Sequence, residues 1–217
     1  MKKMRKKKST VISVIAVIVL TVMLFLGNWA WKYYCLPAIP DKRNYESMEE
    51  RAYAALGFAQ SHGLNTHYAL FVDYSVPSGT PRLYVWDFEK RCVIARTYVM
   101  HGPGGGSTAE RPVFSNKSGS NCSALGRFKV TKAHGSKIRK SFRLKGMDMG
   151  NQSAYDRGLM IHRAPWVDAW CWNKYIPLNG TACLGCVTVS SRGMDYLWQL
   201  INSEQKNLLL WSYESKE

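Results

Sequence analysis

The sequence predicts a mainly β domain with a few flanking helices, preceded by one N-terminal transmembrane helix. Three observations carry this. β-branched and aromatic runs at 68–74, 83–88 and 91–100 are separated by short turn segments, a strand pattern rather than a helical one. Shorter apolar runs at 123–130, 158–162, 185–189 and 207–213 are also of strand length. Finally, the 22 residues from Ser9 to Ala30 carry no charge, and about 20 apolar residues cross a bilayer as a helix.

The chain divides into a basic cytoplasmic tail at 1–8, a membrane anchor at 9–31, a linker at 32–43 and an extracytoplasmic domain at 44–217. Six Lys and Arg residues in the tail hold that end in the cytoplasm, and Trp29, Trp31, Tyr33 and Tyr34 form an interfacial cluster. A cleaved signal peptide is the competing reading, but Gly27-Asn28-Trp29-Ala30 followed by bulky aromatics is a poor cleavage site. The expected location is the bacterial inner (cytoplasmic) membrane, single-pass, with the domain facing the periplasm or exterior.

Leu36-Pro37-Ala38-Ile39-Pro40 reads as extended, since proline biases its predecessor away from the helical region. A helix is expected over 45–62, with Met48, Ala52, Ala55, Leu56 and Ala59 on one face and Gly63 at its end. The three runs that follow read as two adjoining antiparallel hairpins. Residues 133–156 read as a long basic excursion, with His134 a surface residue, and the prolines at 165 and 177 argue against a regular element in the Trp-rich insert 165–180. Ser190 or Ser191 caps a last helix to about 203, and 207–213 is a closing strand.

Net charge is +15, of which +9 remains outside the tail, much of it between Arg127 and Lys145. This patch reads as solvated charge or as attraction to an acidic envelope polymer or lipid headgroups. With the domain outside, nucleic acid is not expected as a partner. The glycine run His101-Gly102-Pro103-Gly104-Gly105-Gly106 lacks the Gly-Lys-Ser/Thr ending of a phosphate cradle. It reads as a flexible loop at a site mouth, with His101 either facing that mouth or hydrogen-bonded within the loop.

The chemistry concentrates between Ile161 and Ser190. Ile161-His162 ends one apolar run, and Cys183-Leu184-Gly185-Cys186 opens another. A thiol is a nucleophile only as thiolate, and an imidazole titrating near neutrality can take its proton. Cys186 is therefore the candidate nucleophile, His162 the base, and the amides near Gly185 and Cys186 candidate donors to a developing oxyanion. His162 and Cys186 meet only if their strands are neighbours. Trp166, Trp170, Trp172 and Tyr175 supply a pocket wall or lid. A redox dithiol of Cys183 and Cys186 would call for a helix after the motif, whereas 187–189 is strand-like. Structural zinc would need Cys171 and His162 at irregular spacing. No metal or cofactor is expected. A disulfide from Cys171 to Cys183 or to Cys122 remains open.

Met100-His101-Gly102 with its glycine loop, Ser123-Ala124-Leu125-Gly126-Arg127-Phe128, Ile161-His162 and Leu184-Gly185-Cys186-Val187 follow in an order that resembles the murein L,D-transpeptidase catalytic domain. The resemblance implies a β-sandwich, peptidoglycan stem peptides as substrate, and a cysteine that attacks the carbonyl of the third stem residue and releases D-alanine. By position it implies Cys186 as nucleophile, His162 as base, Gly185 with Cys186 as oxyanion backbone, and His101 lining the site. The chain departs from the family in having Cys183 and Leu184 before Gly-Cys, Arg163 after the histidine, and Thr188 where arginine is common. Arg163 is a candidate for a stem-peptide carboxylate, or a surface arginine, and Trp166 a candidate substrate contact. Carboxypeptidase or endopeptidase action by the same residues, and a non-catalytic wall-binding domain, are the alternatives.

Overall fold

The computed structural model describes residues 2–34, 42–132 and 140–215. The expected linker at 36–40, His134, and the basic residues Lys137 and Arg139 lie outside the described residues. The chain divides into two units, 1–35 and 36–217. In the first, helix α1 (Lys2–Tyr34) is long and apolar enough to cross a membrane, with a mean hydropathy of 2.2 over Ser13–Ala30 and none of that window buried.

The second unit opens with α2 (Lys42–Ser61), three residues ahead of the expected start. Its stripe of Met48, Ala52, Ala55 and Ala59 packs with Phe71, Tyr84, Trp86, Leu209 and Tyr213. The strands are β1 (Tyr68–Asp73), β2 (Leu83–Asp87), β3 (Cys92–Thr97), β4 (Val99–Met100), β5 (Gly126–Lys132), β6 (Ser141–Gly146), β7 (Met160–Arg163), β8 (Val187–Val189) and β9 (Leu209–Tyr213). Helix α3 (Pro165–Trp170) follows β7, and α4 (Ser191–Ser203) follows β8.

Hydrogen bonds join the nine strands in one ladder, ordered β3-β2-β1-β9-β5-β6-β7-β8-β4. The first three strands pair antiparallel, as the two hairpins required. Strand β1 is buried from Ala69 onward because both of its faces are covered. Ala69 and Phe71 join the α2 cluster, so the alternating Leu70 and Val72 turn to the opposite face, where they too are fully buried.

The two ends of this ladder are consecutive in sequence, since β3 ends at Thr97 and β4 begins at Val99. A flat nine-stranded sheet would hold its edges about 38 Å apart at ~4.8 Å per step, whereas two residues reach at most about 7 Å. The sheet therefore curls until its edges meet at Tyr98. The layered β architecture arises from one sheet folded on itself.

A buried arginine fastens that closure. The Arg82 backbone N–H donates to Thr97 O at 3.0 Å. Its side chain donates from Nε to Val99 O at 3.0 Å and from Nη1 to Val76 O at 2.9 Å. Beside it, Thr97 Oγ1 lies 2.8 Å from Ser190 Oγ, which also accepts the Gly193 N–H and so caps α4. A Cβ on Gly193 would fall 2.0 Å from Thr97 Oγ1, so the first turn of α4 rests directly on the seam.

Two expectations are corrected. The basic excursion contains β6 and a 3-10 turn at Met149–Ala154. In β6, Phe142 and Leu144 are buried while Arg143 and Lys145 alternate outward, and the charges hid a period of two. The Trp-rich insert begins with α3, whose first residue is Pro165, the position where proline favours a helix start. The expected closing strand is present as β9, and it is central in the sheet, pairing parallel with β1 and antiparallel with β5.

Arg82→Met keeps the apolar stem but orphans buried carbonyl oxygens, each worth about 1–3 kcal/mol when desolvated without a partner. Urea unfolding of the full chain in detergent is expected to show a loss of about 3 kcal/mol or more; a change under 1 kcal/mol would mean the seam does not need the clasp.

Candidate active site

Strands β7 and β8 run parallel and adjacent, with Ile161 opposite Val187, His162 opposite Thr188 and Arg163 opposite Val189. Cys186 immediately precedes β8, which places it at the level of Met160. His162 and Thr188 are direct partners across the pair. The two candidate residues, 24 apart in sequence, thus fall on adjoining segments, His162 within β7 and Cys186 directly before β8. Both are buried.

His162 has two hydrogen-bond partners. Nδ1 lies 3.0 Å from Arg163 O, and a carbonyl only accepts, so Nδ1 carries the hydrogen of the neutral ring. Nε2 is then the bare nitrogen, and it lies 3.3 Å from Thr188 Oγ1. Burial holds the ring's pKa below the ordinary histidine value, opposed by the bond to Arg163 O. A neutral imidazole whose Nε2 carries no hydrogen can accept a proton there.

Cys186 is a thiol in this arrangement. Burial, reinforced by the neighbouring Cys183, pushes its pKa up to about 12, against the Met160 N–H and the guanidinium groups of Arg157 and Arg143, which favour the thiolate. The base and nucleophile are not directly hydrogen-bonded, since Thr188 occupies Nε2. Cys183 sits at the centre of the turn. Its Sγ lies 3.3 Å from Cys186 O, and burial pushes its pKa up, opposed by the Thr188 side chain and the backbone of Gly185 and Cys186.

Gly185 is fixed by space and by backbone angle. Its φ is +97°, and a Cβ there would fall 2.3 Å from Cys122 O. Gly102 meets it from the other side, where a Cβ would lie 2.8 Å from both Gly185 N and Gly185 Cα. Arg157 ties the intervening loop down, donating from Nη1 to Ser115 O at 2.6 Å and from Nη2 to Cys122 O at 2.5 Å. The Gly102 N–H donates to Ser123 Oγ at 3.0 Å, completing the packing of the glycine loop against the nucleophile turn.

The remaining predicted site residues fall into distinct places. The His101 ring is buried, with Nδ1 3.0 Å from Arg82 Nη2 and Nε2 2.8 Å from Thr108 O. Arginine only donates, so Nδ1 accepts and Nε2–H donates to the carbonyl. The His101 ring is thus hydrogen-bonded within the loop through both nitrogens. Arg163 contributes its carbonyl to His162, while its side chain is exposed and acts electrostatically on Asp168. Trp166 is half-buried, with its Nε1–H donating to Pro177 O at 2.8 Å, so its indole N–H holds the insert together. Leu184, 55% exposed between Cys183 and Gly185, presents the turn's open apolar surface.

Cys92, Cys122, Cys171, Cys183 and Cys186 are free thiols, so the disulfide from Cys171 is not formed. Sequence reasoning passed over Thr188, Arg157 and Arg82. Reading Cys186-Val187-Thr188 at a period of two would have put Thr188 beside the nucleophile. Nothing in the local pattern distinguishes Arg157 from the other basic residues of its segment.

Residues 41–213 match the model of the L,D-transpeptidase catalytic domain, and the chain belongs to that family, whose members support a peptidoglycan transpeptidase-like role. Two solved structures of the helical cell shape determining protein Pgp2 from Campylobacter jejuni, one a point mutant, are similar at 12% identity and a TM-score of 0.45. They align over 69% of this chain, which spans about half of theirs, 48% and 49%. No curated protein matches the chain.

Because burial, and then the charge of Arg82, press the folded His101 pKa down to about 4, the unfolded chain binds a proton near pH 6.5 that the folded one refuses. Stability should therefore fall as pH drops from 6.5 toward 4, by up to about 3 kcal/mol from this residue. Urea unfolding of wild type and His101→Gln across that window checks it: the variant should show a shallower slope.

Proposed function

We propose that the chain is a membrane-anchored peptidoglycan L,D-transpeptidase in which Cys186 is the nucleophile and His162 the base. The observation that supports this is the parallel pairing of β7 and β8, which sets the strand that carries His162 alongside the one that Gly185 and Cys186 lead into. Family membership over 41–213 supplies the substrate class. The N-terminal apolar helix supports attachment to the cytoplasmic membrane, with the domain outside it.

In the first half-reaction the Cys186 proton passes to His162 Nε2 as sulfur attacks the carbonyl carbon of the third stem residue. With the thiol near 12 and the imidazole below its ordinary value, a free ion pair is a minor species. Proton removal is therefore coupled to attack, as general-base catalysis requires. The oxyanion gains the positive field of Arg157 and Arg143, and the Gly185 and Cys186 amides are its candidate donors. Collapse breaks the amide C–N bond, and His162 returns the proton to the departing D-alanine amine. An acceptor amine then attacks the thioester, transfers its proton to His162, and forms the new amide as the thiol is regenerated. Leu184 and the exposed Arg163 are placed to meet apolar and carboxylate parts of the stem peptide.

The test is intact-protein mass spectrometry of the full chain in detergent with tetrapeptide-bearing muropeptides. Wild type should gain a thioester adduct with release of one D-alanine, Cys186→Ala none, and His162→Ala should slow acylation by about 100-fold or more. No adduct on a folded wild type with a free Cys186 would overturn the assignment. The ratio of cross-linked to trimmed products separates transfer from hydrolysis.

A further inference from the structure

The β5-β6 pair carries lysines whose charge the fold does not use. Lys129 stands directly opposite Lys145 in the antiparallel register, and like charges in that relation repel. Lysine commonly guards a sheet edge against pairing with another chain, but β5 and β6 are both interior strands of the ladder. The arginines on the same face are engaged: Arg127 pairs with Asp148, and Arg143 donates to Tyr155 O at 3.0 Å. Among the described residues Lys129, Lys132, Lys145 and Lys206 form no ion pair.

These four lysines line one cavity of about 780 Å³. It runs over β5, between the loop 204–207 that leads into β9 and the segment 152–156 that follows β6. Asp156 and Glu204 are the carboxylates that line it. Glu204 is already engaged, accepting from Asn65 Nδ2 at 2.6 Å and lying 3.4 Å from His67 Nδ1. Lys129 and Lys145 are one strand step apart, about 5 Å, and Lys132 lies about 10 Å further along β5. The positive charge is therefore spread along a trough rather than gathered at a point.

We propose that this trough binds an extended polymer of the cell envelope that carries a phosphate on each repeat. An ammonium group is a point charge that binds phosphate without the planar fork that suits arginine to carboxylates. Four cations against Asp156 and an engaged Glu204 leave an excess of positive charge, which a polyanion neutralises at several points at once. A strand can lie between the two walls, whereas a bilayer surface meets a concave site only at its rims. Neither Cys186 nor His162 lines the trough, so a bound polymer holds the domain in place and leaves the proposed catalytic pair open. The inference rests on the reading that the domain lies outside the membrane.

The probe is fluorescently labelled linear polyphosphate, titrated by anisotropy with the full chain in neutral detergent at about 0.1 M salt. Wild type should bind saturably. The triple variant Lys129→Gln, Lys145→Gln, Lys206→Gln should weaken binding by about 10-fold or more and flatten its salt dependence. The control Arg111→Gln, Lys117→Gln, Lys174→Gln removes three exposed charges elsewhere and should stay within about threefold of wild type. Because the first variant relieves a repulsion, its urea midpoint should be no lower than that of wild type. No binding by wild type, no selective loss in the first variant, or a lower midpoint for it overturns the proposal. So does capture of the chain in neutral nanodiscs by phosphatidylglycerol liposomes, lost in the first variant, without polyphosphate binding; that result assigns the surface to a membrane. Binding is read without turnover. A chain that binds polyphosphate but releases no D-alanine keeps the trough and loses the transpeptidase assignment, and the reverse result does the opposite.

Discussion

The guanidinium of Arg82 is the constraint on which the rest of the domain depends. Nine strands in one ladder must bring their two edges within a single residue of each other, and the edge carbonyls at that seam need donors in a place water does not reach. Arg82 supplies them from its backbone and from two side-chain nitrogens, and a third reaches His101. The cost of burying it shows in a pKa lowered to about 10, yet it remains a cation at neutral pH. The face of Tyr74, 4.9 Å from the guanidinium carbon, supports the charge. Closure and site are thereby one problem. The strand that the clasp secures runs straight into His101 and Gly102, and Gly102 is what packs on Gly185.

Around the nucleophile the same economy recurs. Gly185 has no room for a side chain because two loops converge on it, and that convergence is held by Arg157, whose charge also acts on Cys186. Arg157 itself is held slightly below its ordinary pKa by burial and remains charged. The turn places two thiols in one pocket with different surroundings. Both are buried; Cys183 Sγ lies against the carbonyl of Cys186, whereas Cys186 sits directly before β8 under the influence of two guanidinium groups.

Strand order explains what could be read from residues alone and what could not. The early strands were legible because aromatic and β-branched runs are bounded by turn residues. So was α4, with Ser190 before an apolar stripe. Strand β6 was hidden because Arg143 and Lys145 sit on its outward face, and α3 because Pro165 reads as a breaker unless it is the first residue of a helix. The centrality of β9 depends on a crossover of more than 130 residues from β1, which no local pattern carries. In the site, Cys186, His162 and Gly185 were singled out from residue chemistry and order. The ring bonds of His101 were not legible, since one partner is an arginine 19 positions away and the other a loop carbonyl. Thr188 was seen only as a missing arginine, because the partner of its hydroxyl, His162 Nε2, lies on a neighbouring strand.

The account holds that the fold keeps Cys186 as a neutral, buried thiol and leaves its activation to proton transfer during attack. The most direct measurement is the pH dependence of Cys186 alkylation by iodoacetamide in the free full chain, resolved by site with mass spectrometry. With the thiol pushed up to about 12, the rate is predicted to be low at neutral pH and to climb through the alkaline range without a plateau below pH 9. A plateau at or below pH 7.5 would show a thiolate already formed beside His162, and would contradict the account.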